Sequence, residues 1–138
     1  MKKIIILLLL LGLPTKAYTN NLTIYTYDSF ISEWGPGPII EKIFEKKFNT
    51  NIEFIAVDSA ATLLNKVILE GSTTRADIIL GLDMNLLDDA KKTNLFADHQ
   101  ITNLNKKLIL PINWESEKFV PYNFGYFAFV YNNKKFTN

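Results

Sequence analysis

Three β-branched and aromatic runs alternate along this chain with stretches whose apolar residues recur every three to four positions. That alternation constrains the fold more than any other feature. Leu22 to Tyr27 (LTIYTY) reads as a first strand. In the stretch after GPGP, Ile39, Ile40, Ile43, Phe44 and Phe48 recur at helical spacing, which predicts a buried stripe with Glu41, Glu45, Lys46 and Lys47 turned to solvent. Ile52 to Val57 (IEFIAV) is a second strand. Ser59 is placed to cap a second helix, whose buried stripe is Leu63, Leu64, Val67 and Ile68 and which Gly71 ends. Ala76 to Leu82 (ADIILGL) is a third strand, and MNLLDDAKKTN a third, shorter helix. A βαβαβα order implies an α/β fold with a parallel sheet and helices on its faces. There is no internal repeat and no low-complexity run.

Residues 97–118 are polar and less regular, with one apolar patch from Leu108 to Ile112. The run FVPYNFGYFAFVYN, 119–132, is strongly β-forming. Its alternation predicts a mainly core strand, with Tyr126 a candidate to face a cleft and Pro121 and Gly125 loosening its first half. The sequence stops a few residues later, at KKFTN. A long aromatic edge left unpaired there would promote aggregation, so the expectation is an interrupted domain.

The first residues are read apart from the fold. Lys2 and Lys3 precede the apolar run Ile4 to Leu13, and Pro14 and a small residue at Ala17 follow it. This is the pattern of a secretory signal peptide over residues 1–17, and the run is too short for a comfortable bilayer span. Three lysines leave with it, so 15 basic residues fall to 12 against 14 acidic ones, a balance near −2. That balance speaks against a nucleic-acid surface, which needs a clustered basic excess. An exported chain without cysteine has no disulfide framework, and one histidine without cysteine argues against a structural zinc site.

The glycines of GPGPII stand where a dinucleotide loop would stand, but Ile40 takes the place of the third glycine. A phosphate cradle is built from backbone N–H groups, and Pro36 and Pro38 have none. The structural reading is Gly37 as cap and Pro38 in the first helical turn, a rigid entry that would hold Trp34 in place. In an open parallel sheet, ligands bind beyond the carboxyl ends of the strands. Those ends carry Tyr27-Asp28, Asp58-Ser59 and Asp83. An Asp at such a junction is often only a helix cap. Three of them with Tyr27 and Trp34 suit a flat, cationic, nitrogen-rich ligand, because rings stack and attract cations and carboxylates accept from amines. The chain has no nucleophile elbow and no HExxH, so no catalytic residue is expected. Asp83 and Asn85 begin like a calcium loop but lack its glycine and distal glutamate. His99, in the polar stretch FADHQ, reads as a surface residue. No resident metal or cofactor is expected.

The blocks LTIYTYDSF…EWGPGP, LLNKVILEG, ADIILGLDMNLLDDAKKTNLF and FVPYNFGYFAFVYN, in this order, resemble the periplasmic thiamine-binding proteins of ABC importers through nearly all of the chain after the signal. The resemblance implies a periplasmic-binding-protein-like (type II) lobe, mainly parallel and incomplete, of a two-lobed hinged receptor related to the iron receptors. Such a receptor captures thiamine or its phosphates in the periplasm and hands it to an ABC permease in the inner membrane. The family's first-lobe contacts fall on Tyr27, Trp34 and the Asp58-Ser59-Ala60 turn, to which the strand-end reading adds Asp28 and Asp83. The family has an acid and then a glycine where this chain has Ser59 and Ala60, so Asp58 is offset by one position. The resemblance also makes residues 18–138 a first lobe that stops near the hinge crossing, with GYFAFVYN close to a hinge strand; a separately encoded second lobe and a decaying gene are the two readings of that ending. Alternatives are a receptor for another cation such as iron, or a truncated product without function.

Overall fold

The computed structural model describes residues 21–109, 113–126 and 128–135. The proposed signal peptide and part of the Leu108–Ile112 patch lie outside the described residues. The first strand, β1 (Asn21–Tyr27), is the middle strand of a three-stranded sheet. It is flanked on one side by β2 (Asn51–Val57) and on the other by β3 (Ile78–Ile79). Both pairings are parallel, with Leu22 opposite Ile52, Tyr27 opposite Val57 and Ile24 opposite Ile78. The order β2-β1-β3 follows from the crossovers leaving β1 in one direction and returning past it in the other.

The third strand is shorter than the predicted 76–82. Asp77 explains one end: its carboxylate accepts from the Thr23 N–H at 2.8 Å, while its own N–H bonds the Thr23 carbonyl at 2.9 Å. At the other end Leu80 N–H reaches the Tyr25 carbonyl at 2.9 Å, and Gly81 then turns the chain away at φ +113°.

One sheet face is closed by α3 (Ala60–Glu70). Ser59 caps it as expected, its hydroxyl oxygen accepting from Thr62 N–H at 3.2 Å, and Gly71 closes it. Leu63, Leu64 and Val67 are buried, with Leu63 and Val67 packed around Tyr25 and against Ile55, Val57 and Ile79. Ile68, counted into the stripe from its spacing, is 45 % exposed.

The opposite face carries α1 (Asp28–Ile31) and α2 (Gly37–Phe48). The single turn of α1 had no periodic signal in the sequence, but it drives Phe30 into the core, edge-on to Phe54 at 5.9 Å. Gly37 is the first residue of α2, not its cap; that place is taken by Pro36. The larger correction concerns the orientation of α2. Glu41 and Glu45, predicted to face water, are half-buried, and Ile39, Ile40, Ile43 and Phe48 are 42–65 % exposed. The Glu45 carboxylate accepts from Ile52 N–H at 2.9 Å where β2 begins, so the acidic edge of the helix lies beside the sheet, next to half-buried Phe44.

The third predicted helix resolves into a 3₁₀ turn, Met84–Leu86, and the short α4 (Leu87–Lys92), with Leu87 and Ala90 buried. A further turn of helix, α5 (Leu104–Lys107), follows. The predicted strand 119–132 is overturned: none of its described residues is in a strand, and Phe124, Tyr126, Phe129 and Val130 are exposed rather than core. A β-forming run is stabilised by pairing, and among the described residues neither sheet edge pairs with this one.

Candidate functional site

A cleft of about 360 Å³ opens beyond the carboxyl ends of the strands. It is lined by Tyr27 at the end of β1, by Asp58, Ser59 and Ala60 between β2 and α3, by Gly81, Leu82 and Asp83 after β3, and by Tyr122 and Asn123. This is where a sheet of order β2-β1-β3 diverges, its β1 and β2 connections leaving to opposite faces, and where such folds hold ligands. A larger open hollow of about 960 Å³ lies elsewhere, among residues 98–106 and 114–117. We favour the smaller cleft, because three separate strand ends converge on it.

The cleft is assembled by aromatic packing. Phe30, buried, meets Tyr27 edge-on at 6.0 Å and Tyr122 edge-on at 6.4 Å. The two tyrosine hydroxyls are 2.6 Å apart. One donates to the other, which leaves the pair a single free O–H to offer. Partial burial, followed by that hydrogen bond, raises the Tyr122 phenol above its ordinary value, so it stays protonated through the physiological range. Gly81 lets the Tyr27 ring lie against the β3 turn: a Cβ there would fall 2.4 Å from two ring carbons.

Of the strand-end acids, Asp83 is a cap, its carboxylate accepting from Asn85 N–H at 2.8 Å. Ser59 is likewise engaged, by Thr62 N–H and by the Thr62 hydroxyl at 2.9 Å. The carboxylate of Asp58 lines the cleft with no hydrogen-bond partner among the described residues. Asp28 begins α1 and is exposed, outside the cleft lining. Trp34 sits in the turn before α2, 81 % exposed and also outside the lining. Tyr122 and Asn123 were missed in the sequence because their run read as a core strand. Gly81 was read only as part of a strand, although glycine just before the strand-end Asp83 is a signal for close backbone approach. His99, predicted at the surface, is half-buried, with Nε2 2.9 Å from the Ser116 carbonyl and Nδ1 accepting from Ile101 N–H.

The cleft offers two carboxylates, two phenol rings and the N-terminus of an eleven-residue helix, α3, which together suit an aromatic cation. No protein-family model matches the chain. Curated proteins do: the thiamine-binding periplasmic protein of Escherichia coli (strain K12) is 44% identical over 138 residues, which is 100% of this chain and 41% of that protein. The chain is homologous to part of the thiamine-binding periplasmic proteins. The Brucella abortus protein of that name is 47% identical over 91% of the chain and 37% of its own length. Among solved structures, a periplasmic thiamin binding protein superposes with a TM-score of 0.75 at 44% identity, covering 87% of this chain and 37% of that one. An iron- and citrate-bound protein from Trichodesmium gives 0.51 at 19% identity, covering 63% of this chain and 26% of that one, a likeness of fold alone. The parallel sheet with its flanking helices is thus part of a periplasmic-binding-protein fold. The chain spans about two fifths of the length of the curated relatives it matches.

Proposed function

We propose that this chain supplies one wall of a periplasmic receptor that captures thiamine, or its phosphates, for an ABC importer. Residues 1–17 direct export and are removed, and residues 18–138 contribute to the first lobe. The observation that carries the reading is the strand-end cleft, with its free Asp58 carboxylate beside two phenol rings, in a chain whose relatives are named for thiamine binding. Thiamine joins a permanently charged thiazolium to a flat aminopyrimidine. Tyr27 and Tyr122 offer ring faces for stacking and cation–π attraction. Asp58 and Asp83 offer negative charge to the thiazolium, or acceptors to the amino group. The N-terminus of α3, behind Ser59, favours the phosphate of a phosphorylated form. The reading has no catalytic step, which fits relatives named for binding.

Magnitudes limit what this wall does by itself. A stacked ring is worth roughly 1–3 kcal/mol by analogy with base stacking. An exposed carboxylate adds about 1 kcal/mol or less. A micromolar Kd needs about 8 kcal/mol, so an open, one-sided cleft stays far weaker. The relatives' additional length is the natural source of an opposing wall. The test is a thiamine titration followed by tryptophan fluorescence, with the chain alone and with added polypeptide covering the part of the Escherichia coli relative that this chain does not match. Trp34 and Trp114 are the chain's two tryptophans. A micromolar response in the mixture, absent with ferric citrate, supports the reading. Silence in both samples overturns it.

A further inference from the structure

The chain's single histidine lies outside the cleft lining and joins two pieces of backbone. Two short arms, residues 96–101 and 114–119, meet at His99. Its N–H donates to the Glu117 carbonyl at 2.8 Å. Its ring adds two more bonds. Nε2 lies 2.9 Å from the Ser116 carbonyl, which only accepts, and Nδ1 lies 2.9 Å from the Ile101 N–H, which only donates. These partners assign the ring as the neutral Nε2–H tautomer. Beside it, Lys118 Nζ donates to the Phe96 carbonyl at 2.8 Å and pairs with Asp98 at 3.1 Å, and the Phe96 and Phe119 rings are 5.1 Å apart. The second arm leads to the cleft. The Trp114 indole N–H holds the Phe119 carbonyl at 2.7 Å, and Tyr122 follows after Val120 and Pro121.

The ring cannot take up a proton and keep this arrangement. The charged form carries hydrogen on both nitrogens, so Nδ1 would face the Ile101 N–H donor to donor. The ring must turn, and turning withdraws Nε2–H from Ser116. The groups around it do not oppose the proton. Asp98, Glu115 and Glu117 share its hollow with Lys106, and Lys118 is already held by Asp98. Once the ring turns, a carboxylate there can accept the new N–H. The join then rests on one backbone bond, one aromatic contact and an exposed ion pair, and such a pair is worth little.

We propose that the two arms form a pH-sensitive clasp. Neutral His99 keeps it closed and so seats Tyr122 edge-on to Phe30 and 2.6 Å from the Tyr27 hydroxyl. A proton on Nδ1 opens it and frees Tyr122 from the cleft. The clasp is closed while the imidazole is neutral and opens as pH falls through the ordinary imidazole range, between about 5 and 8. It needs no ligand, so it stands apart from the receptor reading.

The test is NMR on the ¹⁵N-labelled full chain, in which the ring signals belong to one histidine. Near neutral pH the ring nitrogens should show Nε2–H and a bare Nδ1. From about pH 7.5 to about 5.5, hydrogen-exchange protection of the His99 and Ile101 amides, corrected for the intrinsic rate, should fall roughly fivefold or more. The cross-peaks between the Tyr122 and Phe30 rings should weaken with it, while the α3 amides keep their protection. His99→Asn, whose side-chain carbonyl can accept from Ile101 N–H but takes up no proton, should show no such fall. A ring with its hydrogen on Nδ1 at neutral pH, or protection that ignores pH, overturns the proposal. An equal fall in His99→Asn also overturns it, because it assigns the response to the carboxylates. So does an opening that leaves the Tyr122–Phe30 cross-peaks intact.

Discussion

Gly81→Ala tests how the cleft is held together. At φ +113° any side chain strains the backbone by about 1–3 kcal/mol. The added Cβ would also meet the Tyr27 Cδ1 and Cε1 atoms at 2.4 Å each, well inside contact distance. The ring must swing away, which breaks the 2.6 Å hydroxyl pair with Tyr122 and forfeits a further 0.5–1.5 kcal/mol or so. The expected loss is about 2–4 kcal/mol of a total near 5–15. In urea, at a slope of about 1–3 kcal/mol per molar, the unfolding midpoint falls by roughly 1–2 M. The assay is urea unfolding followed by far-UV circular dichroism, repeated in a Tyr27→Ala background. There the clash is gone, so Gly81→Ala should cost only its backbone strain, and the two substitutions should couple by about 1 kcal/mol. Additive costs would refute the steric argument, and an unchanged midpoint in Gly81→Ala would refute the strained turn as well.

Thr26 is fully buried and its hydroxyl has no partner among the described residues, so Thr26→Val, nearly isosteric, should raise stability by about 1 kcal/mol in the same denaturation assay. Ser59→Ala removes the α3 cap and should cost about 1 kcal/mol, read as a lower midpoint with an unchanged slope. Tyr122 has its phenol raised in the folded state, so it contributes stability that is fully present below the ordinary value of 10.0 and is lost as pH climbs above it. Stability measured from pH 9 upward should therefore fall less steeply in Tyr122→Phe than in the parent.

How much of this was legible in the sequence depended on where the partner of each segment lay. Strands β1 and β2 were read to within a residue because each is self-declaring: β-branched, apolar and bounded by Asn, Thr and Asp. The cap at Ser59 and the stripe Leu63, Leu64 and Val67 agreed with one another, and the structure keeps both. Periodicity predicts that a helix has an apolar face but is silent on which neighbour receives it. For α2 the side toward β2 carries Glu45, bonded to Ile52 N–H, and half-buried Phe44, while Ile39, Ile40, Ile43 and Phe48 stay exposed. The 119–132 run failed for a related reason, since β-propensity describes a fit to a pleated neighbour and none of its described residues is in a strand. The GPGP glycines, tempting as a phosphate loop, have a packing explanation instead. A Cβ on Gly35 would lie 2.4 Å from the Phe30 and Ser29 carbonyl oxygens, so the chain can turn tightly beneath Phe30 only without a side chain there.

The strand-end acids show how the cap and the site can be told apart. Capping uses up an acceptor, and a ligand contact needs one left over. Asp83 spends one carboxylate oxygen on Asn85 N–H, and Ser59 is spent on Thr62. Asp28 has no cap bond but stands outside the cleft. Asp58 alone among the four combines a place in the lining with a carboxylate that has no hydrogen-bond partner among the described residues. If the cleft takes a cation, Asp58→Asn should weaken thiamine binding in the reconstituted mixture by about tenfold, the 1.4 kcal/mol of one charge-assisted contact, and leave the unfolding midpoint of the chain nearly unchanged. Asp83→Ala should do the reverse, lowering the midpoint through its lost cap, by about 1 kcal/mol, and affecting binding less. Equal effects of the two on binding would mean that general negative charge at the rim, and not a specific contact to Asp58, draws the ligand in.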